Sequence, residues 1–129
     1  MKEIKLGDVT PTRDFNYVKD ICHDFMLLAN CKKAVGETVN IGSNTEIYIK
    51  DLFELIKEIM HCDANLTLDD QRLRPEHSEV FRLRCDNTKI KGLTGYESQY
   101  TLREGLEKTV EWFTNPRNLA KYKPEIYNI

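Results

Sequence analysis

The chain has 129 residues, room for one small domain, and its 40% apolar and 31% charged content is an ordinary globular balance. A formal net charge of −2 at pH 7 gives no general attraction to nucleic acid or to an anionic membrane surface. No apolar run approaches the roughly 20 residues of a membrane span, and the opening MKEIKLGDVT lacks the apolar core of a secretion signal. A soluble, cytoplasmic protein with no nucleic-acid or membrane partner is the expectation.

In chain order, residues 3–6 (EIKL) read as a short strand that turns at Gly7-Asp8. Residues 12–17 are extended, because Pro11 biases its neighbours toward β or polyproline geometry. From Val18 the period changes: Val18, Ile21, Cys22, Phe25, Leu28 and Ala29 recur at helical spacing and predict an amphipathic helix to about Asn30. Lys32 and Lys33 suit its C-terminal end, and Gly36 is available to reverse the chain.

Residues 37–41 (ETVNI) read as a short buried strand ending at Gly42-Ser43-Asn44. A second helix is predicted from about Ile49 to Met60, with Leu52, Phe53, Leu55, Ile56 and Ile59 facing inward. Its start lacks a small hydroxyl residue at position 48, which is Tyr48, so capping is expected from Asn44 or Thr45. Residues 65–68 form a possible strand and 69–79 a polar loop with charges of both signs. A short helix starts near Asn87-Thr88. The last helix, Leu102 to Phe113, opens with Thr101 and Glu104 in capping-box spacing and stops at Asn115-Pro116, before a polar tail over 115–129.

The four cysteines (Cys22, Cys31, Cys62, Cys85) are scattered without a CxxC pair, so neither a zinc site nor a redox motif is indicated. Cys22 and Cys31 are read as small buried thiols of the first helix. The histidines (His23, His61, His77) lack metal-ligand spacing, and no metal is expected. His77 alone lies in a segment with functional character.

Short, separated strands raise a question of partners, since isolated strand pairs are marginal and buried backbone groups must be satisfied. The favoured expectation is that ETVNI pairs with strands outside this chain. The other reading, in which the strands pair among themselves in a small mixed sheet, stays open.

Three segments carry a resemblance. The first is Pro11-Thr12-Arg13-Asp14-Phe15-Asn16-Tyr17-Val18-Lys19-Asp20; the second is Val39-Asn40-Ile41-Gly42-Ser43. The third is Arg74-Pro75-Glu76-His77-Ser78-Glu79-Val80, with Asp86-Asn87-Thr88-Lys89 and Leu93-Thr94-Gly95-Tyr96 following. In order and spacing these resemble the C-terminal half of extended short-chain dehydrogenase/reductase enzymes that act on nucleotide sugars, the NAD-dependent epimerase/dehydratase family. The resemblance implies an α/β chain, mostly helical with a few short strands, in which residues 1–129 form the C-terminal substrate-binding portion of a Rossmann-type enzyme. Within the family, QRLRPEHSEVFRL is most similar to 4,6-dehydratases of the legionaminic-acid type, which act on a nucleotide-linked N-acetylglucosamine. Epimerases and decarboxylases share the same framework.

The resemblance places Arg13 and Arg74 on positions that hold the substrate's diphosphate, whose charge and geometry suit bidentate guanidinium groups. Read from the residues alone, Arg13 serves equally as an ion-pair partner of Asp14 or Asp20, and Arg74 as a solvated loop charge. Arg72 is a second loop candidate and otherwise a surface charge. Glu79 resembles a carboxylate that accepts hydrogen bonds from a ribose diol; a surface glutamate is the alternative. Asn40 is read as orienting a turn, Tyr17 as packing where strand meets helix, and Asp20 as complementing a helix N-terminus.

No catalytic residue is assigned. The family's glycine-rich GxxGxxG turn cannot be formed from Gly7, Gly36, Gly42, Gly92, Gly95 and Gly105, and Tyr17, Tyr48, Tyr96, Tyr100 and Tyr122 each lack a lysine four residues on. The expectation is a chain that binds no NAD by itself, whereas the complete enzyme uses NAD, acts on a nucleoside-diphosphate sugar and forms a homodimer. A non-catalytic module that binds a nucleoside diphosphate is the other class of function.

Overall fold

The computed structural model describes residues 3–73 and 80–122. They form β1 (Glu3–Leu6), β2 (Thr12–Arg13), α1 (Val18–Ala29), β3 (Ile47–Tyr48), α2 (Ile49–Met60), β4 (Asn65–Leu68), β5 (Arg82–Leu83), α3 (Thr88–Thr94), α4 (Leu102–Thr114) and α5 (Pro116–Leu119), with single 3-10 turns at Lys32–Ala34 and Asp70–Arg72. The strands make two small sheets. β1 runs parallel to β4, with Glu3 opposite Asn65 and Leu6 opposite Leu68. β2 lies between β3, antiparallel, and β5, parallel. The fold class is therefore α/β, mostly helical with a few short strands.

The described strands find their ladders among themselves. Residues 37–41 are the exception and form no strand. A strand exists only as half of a ladder, and among the described residues this segment has no ladder partner.

The helices lie where periodicity puts them. α2 buries Phe53, and Leu52, Leu55, Ile56 and Ile59 in part. Its capping differs from the expectation of Asn44 or Thr45. Ile49 donates its N–H to the Pro11 carbonyl at 3.1 Å and Lys50 donates to the Val9 carbonyl at 3.1 Å. The backbone entering β2 thus satisfies two of the amides that a helix start leaves open. α4 carries the full reciprocal capping box: Thr101 Oγ1 accepts from Glu104 N, and Glu104 Oε2 accepts from Thr101 N at 2.8 Å. Asn115 ends α4 and caps α5, so the predicted tail begins with a helical turn, beyond which Tyr122 packs on Trp112 and Phe113.

α1 reverses the orientation expected from its pattern. Val18, Phe25 and Met26 are 64%, 63% and 65% exposed, and Cys22 and Ala29 are exposed as well. The buried positions are Asp20 and Asp24, 3% and 0% exposed. Cys22 is therefore no buried thiol. Cys31 lies beyond the helix, half-buried, with Sγ 3.4 Å from the Leu93 carbonyl. The apolar stripe of α1 has the spacing of a packed face, but of its members only Ile21 and Leu28 are half-buried, and the described residues cover the helix chiefly at Asp20 and Asp24. α3 packs against α1, and Ile90 of α3 with Tyr96, Phe53, Ala64 and Val9 makes up the buried apolar core. α3 ends at Gly95, whose φ of +69° is a left-handed conformation suited to glycine.

Candidate functional site

A cleft of about 870 Å³ opens along β2, the first turn of α1, the chain before β3 and the N-terminal half of α4. Arg13, Phe15 and Tyr17 enter it from the β2–α1 connection, Glu46 and Ile47 from the chain leading into β3, and Tyr100 from the loop before α4. The Tyr17 and Tyr100 rings meet edge to face at 4.8 Å, and Lys108 Nζ stands 5.7 Å from the Tyr100 ring centre. α4 approaches Tyr17 closely at Gly105, where an added Cβ would lie 2.9 Å from the Tyr17 Cβ. The packing read for Tyr17 is thus seen, with α4 as the partner.

Two carboxylates fasten together the segments around the cleft. Asp14 accepts from Ser43 Oγ at 2.5 Å, Ser43 N at 3.3 Å, Asn44 N at 3.0 Å, Cys85 N at 3.1 Å and Asn16 Nδ2 at 3.1 Å. It fastens the 42–45 turn and the chain after β5 to the end of β2. Gly42 fits beneath because a Cβ there would overlap the Cys85 side chain. Burial pushes the Cys85 thiol pKa up, with Asp14 adding to the effect. Asp20 accepts from Ser98 Oγ at 2.8 Å, Gln99 N at 3.0 Å and Tyr100 N at 3.3 Å. The dipole role read for Asp20 misses this work: its side chain ties α1 to the loop that carries Tyr100.

The predicted site residues separate. Arg13 lines the cleft, with Nη1 donating to the Thr12 carbonyl at 2.8 Å. The aspartates weighed as its ion-pair partners, Asp14 and Asp20, take the donors just named. Arg72 is away from the cleft, its side chain 53% exposed and its Nε 3.2 Å from Asp69 Oδ2; this is the surface-charge alternative. Asn40 is exposed. Arg74, His77 and Glu79 lie outside the described residues.

Sequence reading missed a third carboxylate. Glu46 accepts a forked pair from Arg82, Nε at 2.8 Å and 2.9 Å and Nη2 at 2.5 Å, and a further bond from Thr12 Oγ1 at 2.7 Å. The Arg82 bonds, then the Thr12 bond, hold its pKa down at about 2. No local motif marks this pair, since its members lie 36 positions apart. Among the described residues no cluster fits a metal ion, no helix is long and apolar enough to cross a membrane, and no glycine-rich turn joins a parallel strand to a helix start.

A family model for GDP-mannose 4,6 dehydratase matches residues 1–109. The chain belongs to this nucleotide-sugar dehydratase/epimerase family. Solved structures of family members agree. An epimerase from Methanothermobacter thermautotrophicus is 33% identical with a TM-score of 0.79, covering 92% of this chain and 34% of that one. A UDP-glucose 4-epimerase from Thermotoga maritima, solved with UDP-glucose, is 32% identical with a TM-score of 0.74, over 86% and 34%. A dTDP-glucose 4,6-dehydratase from Bacillus anthracis, solved with NAD, is 27% identical with a TM-score of 0.74, over 95% and 36%. The chain spans about a third of the length of the curated family members it matches.

Proposed function

We propose that this chain is the nucleotide-sugar-binding portion of an NAD-dependent 4,6-dehydratase, with Arg13 and Arg74 holding the substrate's diphosphate and Glu79 its ribose. The observation that carries the reading is Arg13 on the wall of a cleft large enough for a ligand, beside Phe15, Tyr17 and Tyr100. Two guanidinium groups suit a diphosphate, each charge-assisted bond contributing about 1.5–3 kcal/mol. The 4,6-dehydratase assignment is supported by the family model and by the QRLRPEHSEVFRL segment; the same segment favours a nucleotide-linked N-acetylglucosamine as substrate. A 4-epimerase is the second reading, favoured by the T. maritima relative.

NAD chemistry belongs, in this proposal, to residues outside the chain, because the residues here do not fit a dinucleotide cradle. NAD would accept and return a hydride on the sugar, and a homodimer is the expected assembly. The exposed apolar stripe of α1 and the unpaired 37–41 segment support the same division, since both need a cover.

The test is calorimetric. Arg13→Ala should weaken binding of UDP to the chain by about tenfold or more, the scale of one charge-assisted contact. Arg72→Ala should leave it within about twofold, because its guanidinium is exposed and held by Asp69. Equal binding by wild type and Arg13→Ala would remove the site. In an enzyme of the relatives' full length, Arg74→Ala should raise KM while NAD occupancy stays unchanged. Turnover of UDP-N-acetylglucosamine to a 4-keto-6-deoxy product, rather than to a 4-epimer, separates the two reactions.

A further inference from the structure

Arg13 is carried on β2, a strand of two residues, in a sheet whose three strands are all two residues long. Ladders so short supply few backbone bonds, so they hold the strands weakly. One side chain joins all three. Glu46 immediately precedes β3, accepts from Thr12 on β2 and takes the fork of Arg82 on β5. Thr12 is buried, 8% exposed, which keeps its bond to Glu46 away from competing water. Thr12 is also the residue next to Arg13, whose guanidinium bonds the Thr12 carbonyl. The group that holds Thr12 therefore helps to set the position of Arg13.

Glu46 brings a second problem. It lines the same cleft as Arg13, and an unneutralised carboxylate there would repel an anionic ligand. The Arg82 fork places a positive charge directly on it, and Arg84 adds a weaker field of the same sign. We propose that Glu46 and Arg82 are a positioning pair for Arg13: Glu46 keeps the three strands in register, and Arg82 cancels the carboxylate's charge on the cleft wall. This rests on the reading of Arg13 as a diphosphate-binding residue and adds the two residues that make its site hospitable to an anion.

The experiment is a double-mutant cycle on the chain, titrating UDP into wild type, Arg13→Ala, Glu46→Gln, Arg82→Ala and Glu46→Gln/Arg82→Ala, with circular dichroism reporting the fold of each. Arg82→Ala should raise Kd about tenfold, because it leaves Glu46 charged and, among the described residues, bonded to Thr12 alone. Adding Glu46→Gln should return Kd to within about threefold of wild type, since the amide keeps the Thr12 bond without the charge. A double variant as weak as Arg82→Ala overturns the charge-cancelling role, since a purely structural pair would behave that way. Weakening by Arg13→Ala with no effect of Arg82→Ala overturns the pair and leaves the Arg13 reading standing. Equal binding by wild type and Arg13→Ala overturns both. Should Arg82→Ala not fold, Arg82→Lys keeps the charge but not the fork: a Kd within about threefold supports charge cancellation, and a tenfold loss overturns it.

Discussion

Asp14→Asn should lower the melting temperature of the chain by about 10 °C at neutral pH, a loss of about 3 kcal/mol at this chain length. The carboxylate is an acceptor facing five donors: Ser43 N and Oγ, Asn44 N, Cys85 N and Asn16 Nδ2. Asparagine keeps the shape but turns one oxygen into an NH2 donor. Whichever way the amide sits, it opposes at least one backbone N–H. The losses fall on one junction, where the 42–45 turn, the chain after β5 and the end of β2 meet. A stability of about 5–15 kcal/mol for a domain of this kind makes 3 kcal/mol a large fraction. Thermal melts followed by circular dichroism give the temperature, and amide exchange at Asn44 and Cys85 should quicken. A melting temperature within about 2 °C of wild type would show that Asp14 is not the junction's anchor.

Asp24→Asn should do the opposite, and only at higher pH. Asp24 is fully buried on α1, and among the described residues neither carboxylate oxygen has a hydrogen-bond partner. Burial, and then the Asp20 carboxylate one turn away, push its pKa up from 3.8 to about 6; His23, with Nδ1 4.0 Å away, works against them. The folded state therefore holds a proton that the unfolded chain gives up. Stability is undiminished below about pH 4, falls as pH rises from there through 6, and is lower by about 3 kcal/mol above that window. Asparagine has no charge to bury, so at pH 8 the variant should melt about 10 °C higher than wild type. At pH 4 the two should melt together, since a protonated aspartate and an asparagine differ little in burial cost. The same gain at both pH values would mean that charge is not the cause.

Glu46 titrates in the other direction. Its pKa is held near 2, so the stability from its bonds to Arg82 and Thr12 is full above its ordinary value of 4.5 and is lost as pH falls toward 2. The two carboxylates together place the stability optimum near pH 4, between the acid loss from Glu46 and the loss from Asp24 as pH rises toward 6.

What the sequence determined by itself is local. The period of α2 and the Thr101–Glu104 box that starts α4 are written within a few positions, and both elements stand where they were expected. Arg13, in its RDF setting, was also readable, and it lines the cleft. Tertiary structure decided the rest, because the deciding bonds join distant positions. Which face of α1 is buried could not be read from its period, which marks Val18, Cys22 and Phe25 as apolar without saying what covers them; Asp20 and Asp24 are the buried positions instead. α2 is capped by the carbonyls of Pro11 and Val9, backbone groups that no side-chain pattern announces. Residues 37–41 have strand composition but no strand, since a ladder needs a second chain segment alongside. Glu46 and Arg82 lie 36 positions apart and Asp14 and Cys85 lie 71 apart. Each becomes a partner only when the chain returns, and that return is set by packing rather than by propensity.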